Sequence, residues 1–501
     1  MLSNKRKYLT LVVLIFINGL NYMDRFTVAG VLTMLQQNST TCSTSKCRFC
    51  CCGLGIDDSE GGFLTTSFII SYTLFSFAFG YFGDRHSRKN LIGLGILIWS
   101  GFTFGGSFAT SYGVLVLMRS LVGIGEASYG TIAPTIIADL FPKEKRMRML
   151  SFFYLATPIG SALGYMIGSA IAHSLDCWKW ALRVTPGFGF ICSLLCFFLI
   201  EDPVRGQSDV VAQAHDDQTE NVKGDPGLKP LCRDILHILR CKSFLWSSLG
   251  FAAMSFVIGA VAQWGPAYIM WATGVVNGVS DDGKSLGYSQ RTASIGFGAL
   301  AVVAGIIGVL VGSEWAKRWS KTNPRADALV CAIGGLASAP FIFLFLVFAD
   351  FYLPVMWVLG LIGETFIMLI WAPVAAILLY VVVPEKRSVA EAIQILFVHL
   401  LGDAFSPFII GLMSDALRPE DHVPNPNHTT VIAMKHEYYA LQYSLFMTAF
   451  IAVVGAACFF AASFYLEEDG AAVIKQLRVQ AMSDRETSPL YNGNASDSES
   501  S

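Results

Sequence analysis

Long apolar runs alternate with short polar stretches along most of the chain. Crossing the hydrocarbon core of a bilayer, about 30 Å thick, takes a helix of about 20 mostly apolar residues. Backbone polar groups in lipid must bond within their own segment, so each run predicts a transmembrane helix. The twelve runs cover residues 8–34, 62–82, 90–109, 112–138, 149–173, 180–200, 244–273, 291–313, 327–349, 353–382, 388–416 and 438–466.

Composition agrees with this pattern and excludes several classes of protein. Of the 501 residues, 53% are hydrophobic and only 14% are charged, and the mean hydropathy is +0.53. Soluble domains carry more charge than this. A net charge of −2 without a basic stripe gives no reason to expect a nucleic-acid partner. The chain has no Walker motif. We therefore predict an all-α membrane protein that is not an enzyme and holds no cofactor or metal.

The apolar runs fall into two groups of six. We predict an N-terminal six-helix bundle over 1–200, a polar cytosolic linker over 201–243 and a C-terminal six-helix bundle over 244–468. A disordered cytosolic tail is expected over 469–501. Two pseudo-symmetric bundles around a linker are typical of secondary transporters, in which the substrate site lies between the repeats.

Orientation follows from the basic residues. With the N-terminus in the cytosol, most of the 35 Lys and Arg residues fall on the cytosolic side, as the positive-inside rule requires. Both termini are therefore expected in the cytosol. The glycosylation sequons at Asn38 and Asn427 then lie in outer loops, whereas the sequon at Asn494 lies in the cytosol.

This topology makes a testable prediction about glycans. Asn38 and Asn427 should be glycosylated and Asn494 should not, because transfer occurs only on the luminal side. Each site can be measured as a gel-mobility shift after enzymatic deglycosylation of the Asn38→Gln, Asn427→Gln and Asn494→Gln variants. A glycan on Asn494 would mean that the orientation is inverted.

Five of the 12 cysteines lie in the first predicted outer loop. A luminal or extracellular loop permits disulfides, but an odd number leaves at least one thiol unpaired or paired elsewhere. Metal binding is the alternative, although the spacing fits no standard zinc pattern. The five residues are Cys42, Cys47, Cys50, Cys51 and Cys52.

Four charged residues lie inside predicted helices of the first half: Asp24, Arg25, Arg119 and Glu126. Charge at bilayer depth is costly, so such residues are usually paired or functional. Helix rise places Asp24 on the first helix and Arg119 on the fourth at nearly the same depth, which predicts an ion pair. Glu126 lies deeper with no cation in line with it, and we expect it to carry protons. A static structural pair is the alternative.

The second half holds fewer charges. Glu364 lies in the tenth predicted helix, where it either faces the cavity or pairs near a helix end. His399, in the eleventh, either senses luminal pH or bonds within the core.

Several short motifs resemble known transporters. The loop Gly80-Tyr-Phe-Gly83-Asp84-Arg85-His-Ser-Arg88-Lys89 and the run Arg119-x-x-x-Gly123-x-Gly125 resemble motifs of the major facilitator superfamily. Ala156-Thr-Pro158-Ile-Gly160 is a partial match to its antiporter motif. Three further stretches resemble the spinster family of lysolipid and sphingolipid transporters: Asn21-Tyr-Met-Asp24-Arg25, Glu201-Asp-Pro203-Val-Arg205-Gly206 and His399-Leu-Leu-Gly402-Asp403.

The resemblance implies the major facilitator fold and specific residue roles. In spinster-type transporters the acidic positions that match Asp24 and Glu126 are implicated in proton coupling, with the matching arginine in the same network. In the superfamily the loop containing Gly80, Asp84, Arg85 and Arg88 latches the two halves while the outer gate is open.

We therefore expect a proton-linked transporter of single-chain lipids, such as lysophospholipids or sphingosine phosphate, that works by alternating access. Protons, membrane lipids and a lipid-like substrate would be its partners, and the protein would act as a monomer. The lysosomal or late endosomal membrane is the favoured location and the plasma membrane the second. The alternatives are a transporter of sugars or small organic anions, or an uncoupled lipid scramblase or receptor.

Overall fold

The computed structural model describes residues 4–37, 53–83, 86–141, 143–200, 202–203, 235–278, 286–383, 386–418 and 431–486. The five loop cysteines, the three sequons, Asp84 and Arg85 lie outside these residues, and so does most of the linker predicted over 201–243. Within the described residues, the helices follow one another in the predicted order.

Within the described residues, twelve membrane helices form two bundles of six. The first bundle contains α1 (Asn4–Gln36), α2 (Asp58–Gly83), α3 (Arg88–Gly106), α4 (Tyr112–Leu140), α5 (Lys143–Ser174) and α6 (Trp178–Leu199). The second contains α7 (Lys242–Asn277), α8 (Gln290–Trp319), α9 (Ala326–Phe348), α10 (Leu353–Met368 and Trp371–Val381), α11 (Arg387–Phe397, Val398–Asp403 and Ser406–Leu417) and α12 (Val431–Glu486).

Among the described residues, eleven of these elements are long and apolar enough to cross a membrane. The other is α3, which has 19 residues and begins with the charged pair Arg88 and Lys89.

Two helices are interrupted, and proline explains both breaks. A proline inside a helix has no N–H for the carbonyl four residues earlier and its ring crowds that carbonyl. In α10, Pro373 opens the helix near Leu369, where the first segment ends. In α11, Pro407 does the same near Asp403, after a π-helical turn in which Gly402 has φ −105° and ψ −105°. The wider turn sets the position of His399 and Asp403.

The C-terminal end differs from the sequence-based prediction. Helix α12 continues to Glu486, so the part of the tail over 469–486 that was predicted to be disordered is helical. The carboxylate of Asp469 accepts a hydrogen bond from the Ser243 backbone N–H at the start of α7, at 2.8 Å. Gly470 packs against the ring of Tyr380. These tertiary contacts anchor the extension beyond the membrane span, which hydropathy alone cannot indicate.

The two halves contact each other through α2 with α11 and α5 with α8. These two pairs exchange under the pseudo-twofold relation between the bundles. We call the end that carries Asp58 the outer end, in keeping with the predicted topology. There, the Cβ position of Gly62 lies 2.2 Å from the Pro407 carbonyl oxygen, and Phe63 packs edge-on against Phe408. At the opposite end of α2, no heavy atom of a described residue on another element lies within 4 Å of the Cβ position of Gly80.

In the part of the chain that the structure describes, the halves are therefore closed at the outer end and separated at the inner end. Large apolar side chains near the inner end of α2 are correspondingly exposed: Leu74, Phe75, Phe77 and Tyr81.

Candidate functional site

The buried carboxylate of Asp24 is the centre of one polar cluster in the N-terminal half. Its Oδ2 accepts hydrogen bonds from Arg119 Nη1 at 3.2 Å, Trp99 Nε1 at 3.1 Å and Thr103 Oγ1 at 3.2 Å. Its Oδ1 accepts one from Thr185 Oγ1 at 2.6 Å. The ion pair between Asp24 and Arg119 that the depth argument predicted is confirmed. Asp24 thus joins four helices, α1, α3, α4 and α6.

Close helix packing brings these groups together. The Cβ position of Gly125 lies 2.5 Å from the Trp99 backbone nitrogen, so any larger residue at 125 would push α4 away from α3. Gly164 has the same role between α5 and α1, since its Cβ position lies 2.4 Å from the Met23 carbonyl oxygen. Small residues at these contacts let the backbones approach within the membrane.

A second ion pair lies beside the first. Arg25 Nη2 donates to Glu126 Oε2 at 3.2 Å. The expectation that Glu126 has no cation in line with it is therefore wrong. Asp24 and Arg25 are consecutive residues, about 100° apart around α1, so they meet different partners on α4. Depth along a helix could be read from sequence, but rotation about its axis could not.

The environment of this second pair is aromatic. The Arg25 guanidinium carbon lies 5.0, 4.9 and 5.2 Å from the ring centroids of Tyr22, Phe68 and Tyr72. Such cation–π contacts stabilise a guanidinium away from water. Oε1 of Glu126 is buried and has no hydrogen-bond partner among the described residues. An unpartnered buried oxygen is unusual in a protein interior and is often found at a functional site.

Tyr72 connects this pair to the C-terminal half. Its ring meets the His399 ring edge-on, with 5.8 Å between the centroids. The Nδ1 atom of His399 lies 2.9 Å from Asp403 Oδ1, one turn along α11. The structure thus brings Asp24, Arg25, Arg119 and Glu126 into adjacent pairs and places His399 across the interface from them.

Glu364 lies apart from that group. It lines a small cavity of about 30 Å³ whose other walls are mostly apolar and come from α7, α8, α9, α10 and α12. Aromatic walls include Tyr268, Phe297 and Phe345. Among the described residues, Glu364 makes no hydrogen bond or ion pair. This cavity lies within the C-terminal half, so a Glu364 that faces the space between the halves stays a prediction.

In the loop predicted to latch the two halves, Arg88 makes its contacts within one half. Arg88 donates to Asp139 at 2.6 Å, to Asp202 at 3.1 Å and to the Pro203 carbonyl at 2.7 Å. All three partners belong to the N-terminal half or its end. Gly80 lies at the separated inner end, and Asp84 and Arg85 fall in the gap between 83 and 86.

Sequence reasoning missed a charged cluster that closes the outer end. Arg418, just after α11, contacts the Asp58 carboxylate on α2, lies 3.0 Å from Asp415 Oδ1 and lies 2.6 Å from Glu437 Oε2 on α12. Asp415 also accepts from the backbone N–H groups of Asp58 and Ser59, at 3.1 and 2.7 Å. These residues are at helix ends, where charge in a sequence is unremarkable.

The charge of Arg418 is well stabilised in this cluster. Burial disfavours the protonated guanidinium, but the carboxylates of Asp58, Glu437 and Asp415 outweigh burial and raise the pKa of Arg418. The cation therefore remains available as a bridge between the halves at any working pH.

Four residues of the central network were not predicted from the sequence, because their residue types do not by themselves indicate a functional site. Each lies inside an apolar run and has one polar group at the end of its side chain: Tyr72, Trp99, Thr103 and Thr185. Such residues also occur in lipid-facing helices and at interfaces, so only their shared neighbour Asp24 or Arg25 distinguishes them.

Comparison with known proteins gives a consistent result. Residues 14–407 match the Major Facilitator Superfamily. Protein spinster homolog 1 of Homo sapiens is 43% identical over 485 residues, which cover 96% of this chain and 85% of that protein. Protein spinster of Drosophila melanogaster is 38% identical over 509 residues, covering 93% and 78%.

Solved structures show the same fold. A bacterial homolog to the human lysosomal transporter Spinster, in an inward-facing and unoccupied conformation, matches with a TM-score of 0.74 at 20% identity. The match covers 93% of this chain and 99% of that one. A D-xylose–proton symporter matches with a TM-score of 0.61 at 17% identity, covering 89% and 96%.

Proposed function

Because this chain belongs to the spinster family of the major facilitator superfamily, and is therefore an integral membrane transporter and not an enzyme, we propose that it moves single-chain lipids in exchange for, or together with, protons. The observation that carries this proposal is the pair formed by Arg25 and Glu126, with a buried Glu126 oxygen that has no partner among the described residues.

Competition for Arg25 would couple the proton to the substrate. While Glu126 is ionised, its Oε2 occupies Arg25. A proton on Glu126 removes that charge, and Arg25 can then bind an anionic head group by charge-assisted hydrogen bonds. Asp24, held by four donors, keeps Arg119 beside this pair. Proton and substrate thus act on the same cation.

A lipid cargo would have its polar and apolar parts at different places. The head group would lie near Arg25 and Arg119, while the chain would lie along aromatic and aliphatic walls such as those around Glu364. Mostly apolar cavities with a few placed polar groups suit such amphiphiles. Glu364 would then contact the cargo or carry a proton. His399 would respond to movement between the two halves, because its ring contacts the Tyr72 ring across their interface.

During alternating access, the outer end would open and the inner end would close. The charged cluster around Arg418 closes the outer end in this structure. In the opposite state, we propose that the loop with Gly80, Asp84, Arg85 and Arg88 latches the inner end, so that the protein switches between two discrete states.

We place this monomeric transporter in the lysosomal or late endosomal membrane, with both termini in the cytosol. An acidic lumen supplies a proton gradient that could drive lipid export. The bacterial structural relative is itself described as a homolog of a lysosomal transporter.

The cargo is tested by competition for uptake into proteoliposomes under a pH gradient. Lysophosphatidylcholine and sphingosine phosphate should compete, because one chain fits the apolar walls. Two-chain phosphatidylcholine should compete poorly, because its second chain needs roughly twice the apolar room. Competition by glucose or a small dicarboxylate, with none by lysolipid, would instead support transport of small solutes. Lipid movement without any pH dependence would support a scramblase.

A further inference from the structure

Arg183 on α6 lies in a separate environment, outside the central network. Its guanidinium carbon is 4.8 Å from the Phe108 ring centroid and 4.6 Å from the Trp180 ring centroid. Its Nε donates to Ser107 Oγ at 3.1 Å. Three neighbours, two just after the end of α3 and one on α6, therefore hold the head of this side chain in one place.

Arg183 differs from three other arginines of the first bundle. Arg25, Arg88 and Arg119 each form an ion pair with a carboxylate. Among the described residues, Arg183 has no carboxylate partner, and its two Nη groups donate no hydrogen bond to protein. A charge near the bilayer without a partner is costly, so a ligand from outside the chain is the simplest way to satisfy it.

The surroundings show where such a ligand would come from. Phe108 is 57% exposed and Trp180 is 38% exposed. Helices α3 and α6 pack chiefly against α1, α4, α5 and each other, so this surface is on the outside of the N-terminal bundle. Exposed aromatic side chains at that position contact lipid, not the space between the halves.

The depth of Arg183 also fits a lipid head group. It lies five residues below the start of α6 at Trp178, or about 8 Å at 1.5 Å per residue. A long arginine side chain spans much of that distance toward the membrane interface.

We propose that Arg183 binds, through its Nη groups, the phosphate of a phospholipid in the membrane leaflet at the outer end of the protein. The planar guanidinium can bond two phosphate oxygens at once. Phe108 and Trp180 would contact the glycerol and the first part of the acyl chains. This bound lipid is a component of the protein surface and is distinct from transported cargo, so the site does not depend on the proposed transport activity.

Native mass spectrometry of the purified full chain tests the site, with phosphatidylglycerol as the probe. Wild-type protein should retain one phosphatidylglycerol in preference to diacylglycerol, which has no phosphate. Arg183→Gln should weaken binding of that lipid by roughly tenfold, because charge-assisted hydrogen bonds are lost. Arg183→Lys keeps the charge but loses the bidentate geometry and should fall between the two.

Lys179→Gln is the matched control, since the Lys179 ammonium lies at the same end of α6, 5.7 Å from the Trp178 ring centroid. It should bind phosphatidylglycerol like the wild type. Equal binding by Arg183→Gln, or by Arg183→Lys if the glutamine variant does not fold, would overturn the proposal. Displacement of the lipid by excess inorganic phosphate would also overturn it, because the site would then accept a free anion.

Discussion

Glu126→Gln should abolish pH-driven accumulation of substrate while the protein remains folded. The side chain keeps its size and its place beside Arg25, but it can no longer gain or lose a proton. A pH difference of one unit stores about 1.4 kcal/mol per proton, which supports about tenfold accumulation for each proton coupled. In the variant the substrate should reach equal concentrations on both sides.

The measurement uses uptake of labelled lysolipid into proteoliposomes, with and without a pH gradient. Exchange of labelled for unlabelled lysolipid at equal pH should continue in Glu126→Gln, which separates coupling from a general loss of transport. Glu314→Gln is the control, because Glu314 is exposed and bonds Arg318 on its own helix. If Glu126→Gln still accumulates substrate about tenfold, the proton is carried elsewhere and the proposed coupling is wrong.

Arg418→Gln should shift the protein toward a conformation that is open at the outer end. Arg418 is the bridge between Asp58 on the N-terminal half and Asp415 and Glu437 on the C-terminal half. Its removal leaves the Asp58 carboxylate close to those of Asp415 and Glu437 without their shared cation, and opening the outer end relieves this repulsion by moving Asp58 away. Leaving partly buried charges unpaired costs at least about 2 kcal/mol, or roughly a 30-fold change in the equilibrium between the two states.

Spin labels at Thr110 and Asn277 can report this shift, since both residues are exposed at the outer end, one on each half. Pulsed distance measurements should show a longer component in Arg418→Gln than in the wild type. Arg325→Gln is the matched control, because the Arg325 pair with Glu467 lies within the C-terminal half at the inner end. An unchanged distance distribution in Arg418→Gln would show that apolar packing, such as Phe63 against Phe408, closes the outer end by itself.

These two variants act on different parts of one cycle. Glu126→Gln leaves the gates intact and removes the response to protons, whereas Arg418→Gln changes the balance of states and leaves Glu126 unchanged. Transport by Arg418→Gln should therefore stay dependent on pH even where it is slower.

Much of the architecture could be read from the sequence, because a membrane imposes a simple rule. Backbone groups in hydrocarbon must bond within a helix, so length and hydropathy alone identified the helices and their division into two sets of six. Helix rise also predicted the pair of Asp24 with Arg119, since depth depends only on residue count. The motif at Arg119, Gly123 and Gly125 indicated the family, and the structure explains its glycines by close packing of α4 with α2 and α3.

Other features depend on how the helices are rotated and joined, and only the tertiary structure decided them. Arg25 meets Glu126 because consecutive residues on α1 face different neighbours. The outer cluster unites Asp58 and Arg418, 360 residues apart, through the contact of α2 with α11. The helical extension over 469–486 depends on docking to α7 and α10. Hydropathy records how well each segment dissolves in lipid, but these pairings arise from which faces of the helices meet.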